Sequence, residues 1–286
     1  FPTRRSSDLF LGDIFRGMGF VAKTATVNPN KGNVALASNG FSFEKFLPNA
    51  IYPMPFKNAA LNVVGLSNPG FKFLIEKDIW QYNFNPYMLS FMPIGKTREE
   101  RMKEVLELIY LFAKFRSCSY FAMQVNISCP NTDHVAQESL VEETSWMLEK
   151  LSVLDVPLIP KINILLDPQI ALKIMLDKNC DALCVSNTIP FGQMADRINW
   201  RKYSDKNGKS PLEKYGYLPG GLSGEPLFPL LVEWLEKFND LVKGIDKPII
   251  AGGGVMKKSD VRILSEFSRV EAISIGSVAF LKPWRV

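Results

Sequence analysis

The run Ala182-Leu183-Cys184-Val185-Ser186-Asn187-Thr188 joins four apolar residues to three small polar ones without a break. A short strand that is apolar on both faces belongs in a sheet covered on both sides, the habit of parallel strands joined by helices. The polar residues then fall at its C-terminal end. The same pattern recurs, with strand-like runs at 19–26, 88–92, 121–127, 158–162, 182–186, 248–251 and 272–275. Helical patterns lie between them at 97–115, 138–152, 168–178, 226–242 and 259–267. The first opens on Thr97 with Glu100 three residues on, a capping box in which side chains satisfy the orphan amides of the first turn. Met102, Val105, Leu106, Ile109 and Phe112 then recur at helical spacing.

Strands alternating with helices in this way predict an α/β fold, a (β/α)8 TIM barrel. Seven strands are counted where the barrel needs eight, so it is expected to lack its first strand, and its closing helix at the other end. An open doubly wound sheet is the alternative. That fold favours an early glycine-rich turn, whereas here the richest glycine signals come late. Residues 1–9 are polar and aperiodic and read as a non-native or disordered leader, leaving 10–286 as one domain.

Composition narrows the function. The 286 residues are 47% apolar and 22% charged, an ordinary globular balance. No run of 18 apolar residues occurs, which excludes a membrane-spanning helix and predicts no membrane partner. The net charge of +5 is mild and spread along the chain, suiting anionic ligands rather than a nucleic-acid surface. His134 is the single histidine, and Cys118, Cys129, Cys180 and Cys184 form no C-x-x-C pair, so no metal site is expected. Unpatterned cysteines and no visible signal peptide predict a cytoplasmic setting.

In a barrel the chemistry sits at the C-terminal strand ends. Those ends carry Lys23-Thr24, Asn126-Ile127-Ser128-Cys129-Pro130-Asn131, Lys161, Ser186-Asn187-Thr188, Gly252-Gly253-Gly254 and Gly276-Ser277. Two further segments, Asn62-Val63-Val64-Gly65-Leu66-Ser67-Asn68-Pro69-Gly70 and Gly220-Gly221-Leu222-Ser223-Gly224, have the same character. Amides and lysines bind a polar, planar, anionic ligand. Glycines after the last strands let backbone N–H groups close on a phosphate. Carboxylates are nearly absent from these ends, which argues against magnesium chemistry and a glycosidase carboxylate pair.

The ordered set of motifs, from Lys23-Thr24 through Asn126-x-Ser128-Cys129-Pro130-Asn131 to Gly276-Ser277, resembles the dihydroorotate dehydrogenase family over roughly residues 17 to 282. The resemblance implies a barrel that holds FMN and oxidises dihydroorotate to orotate in pyrimidine synthesis. A base takes the C5 proton while hydride leaves C6 for flavin N5. It makes Cys129 the base, as in the soluble class 1 enzymes. It assigns Lys23, Asn62, Gly65, Leu66, Asn126, Asn131, Asn187 and Thr188 to the substrate. Lys23, Thr24, Asn126, Lys161, Ser186, Gly224, Gly253, Gly254, Gly276 and Ser277 go to FMN. It also implies a homodimer or an electron-transfer subunit as partner.

The chain departs from the family pattern at Gln124, where a glutamate is common, and after Asn131, where a glycine-rich run is usual. Three other readings stand beside the resemblance: a dihydropyrimidine dehydrogenase-like reductase, a tRNA-dihydrouridine synthase, and an inactive truncated barrel. Cys118, Cys180 and Cys184 read as structural, and 197–214 as an exposed excursion.

Overall fold

A computed structural model of the chain describes residues 19–82, 85–115, 117, 120–127 and 137–286, with 137 and 138 described for their backbone alone. In chain order the main elements are β1 (Phe20–Val21), β2 (Ile51–Met54), β3 (Ala59–Asn62), α1 (Gly70–Glu76), β4 (Tyr87–Phe91) and α2 (Arg98–Phe112). Then follow β5 (Phe121–Asn126), α3 (Gln137–Leu151), β6 (Leu158–Ile162), α4 (Pro168–Met175), β7 (Leu183–Val185), β8 (Ile189–Pro190) and β9 (Gly221–Gly224). The last are α5 (Phe228–Leu241), β10 (Ile249–Gly252), α6 (Lys258–Leu264), β11 (Val270–Ser274) and α7 (Ser277–Leu281).

Seven strands form one sheet in the order β1-β4-β5-β6-β7-β10-β11, every neighbouring pair parallel. The order follows the chain, as successive crossover helices dictate. These are the seven strands read from the sequence, and with their helices they make a curled, partial (β/α)8 barrel. Curling shows in one contact. Gln124 of β5 reaches Cys184 of β7 across the intervening β6, as the concave face of a bent sheet allows.

Strand side chains alternate between two destinations. Leu89, Phe91, Met123, Val125, Leu158, Ile162, Leu183 and Val185 enter the main core together with Leu108, Phe112, Leu148, Ile174 and Phe238 of the helices. The alternate positions Met88, Ala122, Ile159, Ala182, Cys184 and Ile250 form a separate apolar cluster inside the barrel. Each fully buried Leu or Phe contributes about 1.5–3 kcal/mol. Helix α2 starts as the capping box requires. Thr97 Oγ1 accepts from the Glu100 amide at 3.2 Å, and the Glu100 carboxylate accepts from the Thr97 amide at 3.2 Å.

A second sheet, antiparallel, runs β2-β3-β9-β8 and was not expected. Its strands are two to four residues long, β2 contains Pro53, and β9 is Gly-Leu-Ser-Gly. Such strands carry no period-two signal, so they read as loop. The stretch 197–214 is less open than an exposed excursion: Ile198, Tyr203, Ser210 and Leu212 are buried in it.

Candidate functional site

The C-terminal ends of β6, β7, β10 and β11 meet β9 around one open cleft. Lys161, Ser186, Asn187, Thr188, Gly224, Gly253, Gly254, Gly276 and Ser277 all line it. Residues far apart in the chain therefore converge on one cleft. Ser223, Gly252 and Ser274 complete its polar edge, and Leu227, Val255 and Ile275 its apolar one. No carboxylate lines it among the described residues. A lysine, hydroxyls and glycine backbone suit a phosphate and a polar ring, so this donor set fits FMN.

The glycine edge depends on close approach of backbone. Gly224 has φ 105° and Gly254 φ 80°, both in the left-handed region. A Cβ on Gly254 would stand 2.6 Å from the Gly224 carbonyl oxygen and from the Phe228 nitrogen. One on Gly224 would run into the Asn58 carbonyl. No other residue fits this pair.

Lys23, Thr24, Asn62, Gly65 and Leu66 belong to a second group, beside the first strands. The Lys23 ammonium donates to the Ser67 carbonyl and lies 4.2 Å from the centre of the Phe43 ring. Desolvation pulls its pKa from 10.5 down to about 8, although part of the residue stays open to solvent. The loop carrying Gly65 and Leu66 is held by amides that the sequence reading missed. Asn68, 4% exposed, accepts from the Thr26 and Gly70 amides at 3.2 and 2.9 Å and donates to the Leu66 carbonyl at 2.6 Å. Asn30 donates to the Gly65 and Leu66 carbonyls at 2.8 and 3.1 Å. These bonds hold Leu66 at φ 57°, a costly conformation for a non-glycine residue.

Asn126 ends β5, 6% exposed and in register with Lys161 on β6. Asn163, two residues past Lys161, is another residue missed. Its side-chain amide donates to the Thr188 carbonyl at 2.7 Å and its oxygen accepts from the Leu165 amide at 3.1 Å. Its signal was its place beyond a strand end on the same face as Lys161. Beneath these groups, burial pushes the Cys184 thiol up to about 11 against the pull of the Lys161 charge, so it stays protonated. Cys129 and Asn131 lie outside the described residues, as do Cys118 and His134.

The family model for dihydroorotate dehydrogenase matches residues 52–266. The chain belongs to that family. It is 26% identical over 283 residues to the catalytic subunit of dihydroorotate dehydrogenase B (NAD(+)) of Carboxydothermus hydrogenoformans, covering 95% of this chain and 78% of that protein. The same subunit of Shouchella clausii is 25% identical over 232 residues, covering 80% and 69%. That of Thermoanaerobacter pseudethanolicus is 24% identical over 272 residues, covering 92% and 76%. Among solved structures, the YdjI aldolase of Escherichia coli K12 aligns at 12% identity with a TM-score of 0.32, over 67% of this chain and 65% of that one. That likeness is too low to inform the fold.

Among the described residues no helix is long and apolar enough to cross a membrane, and no group of three metal-ligating side chains occurs.

Proposed function

We propose that this chain oxidises dihydroorotate to orotate with FMN as its cofactor and Cys129 as general base. The observation that carries the reading is the convergence of Lys161, Ser186, Gly253, Gly254, Gly276 and Ser277 on one cleft at the strand ends, with no carboxylate in its lining among the described residues. These residues, with Lys23, Thr24, Asn126 and Gly224, would hold the cofactor. FMN, when bound, supplies the hydride acceptor.

The remaining work belongs to side chains. Asn62, Asn126, Asn131, Asn187 and Thr188, with the Gly65-Leu66 backbone, hold the substrate's carboxylate and ring carbonyls and fix its orientation, which is worth several orders of magnitude in a bimolecular step. Lys23 and Lys161 bring positive charge to an anionic ligand. Cys129 takes the C5 proton and so must reach its thiolate in the reacting complex. The relatives are by name catalytic subunits of an NAD(+) enzyme, which favours a partner subunit that carries electrons onward.

The test is a visible absorption spectrum before and after anaerobic dihydroorotate. A flavin band that bleaches is expected, and with Cys129→Ala it should remain oxidised while FMN stays bound. A flavin that dihydroorotate leaves oxidised, but dihydrouracil reduces, would move the substrate to another pyrimidine.

A further inference from the structure

We propose that Gln124 is a positioning residue that acts through Ser90 to turn the Thr24 hydroxyl proton inward, so that Thr24 faces the cleft as a hydrogen-bond acceptor and selects an N–H or O–H donor on the bound ring. The proposal rests on the functional reading above, which puts Thr24 against the flavin.

The argument is a count of protons. Ser90 and Gln124 are register partners on β4 and β5, 1% and 4% exposed, inside the barrel and away from water. The Gln124 carbonyl oxygen accepts from the Ser90 hydroxyl at 3.0 Å, and its amide nitrogen donates to the Cys184 sulfur at 3.5 Å. Both ends of the amide are therefore committed. Ser90 has one proton, and it goes to Gln124. In the 2.9 Å contact between the Ser90 and Thr24 hydroxyls the proton must then come from Thr24. Thr24 also has only one. What it retains for a ligand is oxygen lone pairs. A neutral amide two strands away thus sets the polarity of a hydroxyl at the site, and an apolar side chain at 124 would leave both hydroxyls free to rotate.

The direction of this chain is testable because glutamate and leucine at position 124 differ in one respect that matters. Gln124→Glu keeps an oxygen for Ser90, whereas Gln124→Leu removes it. The dissociation constant for FMN, read by quenching of flavin fluorescence, and the absorption spectrum of the bound flavin are the measurements. Gln124→Leu and Ser90→Ala should each weaken FMN binding about fivefold, the effect of one lost hydrogen bond, and shift the flavin spectrum. Gln124→Glu should bind within about twofold of wild type. In a Thr24→Val background, Ser90→Ala should cost less than about twofold, since its route to the ligand is gone.

An equal loss from Ser90→Ala in both backgrounds would overturn the proposal alone, and so would Gln124→Glu as weak as Gln124→Leu. Should the residue-124 variants fail to fold, the Ser90/Thr24 cycle still decides, because removal of one hydroxyl is mild. A wild-type chain that binds no FMN would overturn the functional reading and this proposal together.

Discussion

Two parts of the strand-end region are built from opposite materials, the glycine edge of the cleft and the side-chain group beside the first strands. Along β9 and β10 the edge is glycine, and its shape comes from backbone segments that approach each other closely: a Cβ on Gly254 would sit 2.6 Å from the Gly224 carbonyl. In the group beside the first strands the shape comes from side chains. Asn68 and Asn30 tie down the Gly65-Leu66 turn, Lys23 is held on the Ser67 carbonyl, and Asn126 stands in register with Lys161. The first is sensitive to anything added and the second to anything removed. On the proposed function, phosphate recognition would fall to backbone and ring recognition to side chains, so that the second could vary without disturbing the first.

Each part can be broken in its own way. The largest effect should come from Gly254→Ala, which combines a left-handed φ of 80° with a 2.6 Å clash against backbone. About 3 kcal/mol of stability should be lost, seen as a fall of several degrees in the thermal midpoint and as loss of FMN binding. Gly276→Ala, where a Cβ meets nothing within 4 Å, should leave the midpoint unchanged. Equal losses at the two glycines would refute the close-approach account.

In the side-chain group, Asn68→Ala strips a buried amide from the Thr26, Gly70 and Leu66 backbone groups. A loss of about 2 kcal/mol is expected in urea unfolding, with a raised KM for dihydroorotate because the Gly65-Leu66 turn is released. Lys161→Met should leave stability nearly untouched and weaken FMN about tenfold, the weight of one charge-assisted hydrogen bond. Calorimetric titration would show it.

The smallest effect is one of pH. Lys23 titrates near 8 in the folded chain and at 10.5 unfolded. The unfolded form therefore holds its proton over the interval between, so the ligand-free protein should gain stability as pH rises from about 8 to 10.5. Affinity for an anionic ligand should fall a few-fold over the same interval, as the lysine charge disappears. Urea titrations at pH 7.5 and 10 on wild type and Lys23→Met check this: the variant should show a flatter profile.

How legible each part was follows from the same contrast. The polar residues near the ends of β6 and β7 were singled out because an apolar strand that carries Lys161 near its end, or runs into Ser186-Asn187-Thr188, declares its own end. The glycine edge was singled out because clustered glycines after strands have few other uses. Asn68, Asn30 and Asn163 were missed because their work is to bond backbone far away in the chain, Asn30 to Gly65 and Asn163 to Thr188. An asparagine in a loop looks the same whether it turns its own backbone or ties down another.

Taken alone, the sequence determined the alternation of seven strands with helices, the capped start of α2, and the residue types at the strand ends. Each is local, written in apolar period, capping spacing or composition. Tertiary structure alone decided that β3 and β9 pair across 158 intervening residues, that Gln124 and Cys184 meet across β6, and that Lys23 loses solvent enough to drop its pKa. Those depend on the curl of the sheet and on which groups exclude water, and neither is encoded in any short stretch of chain.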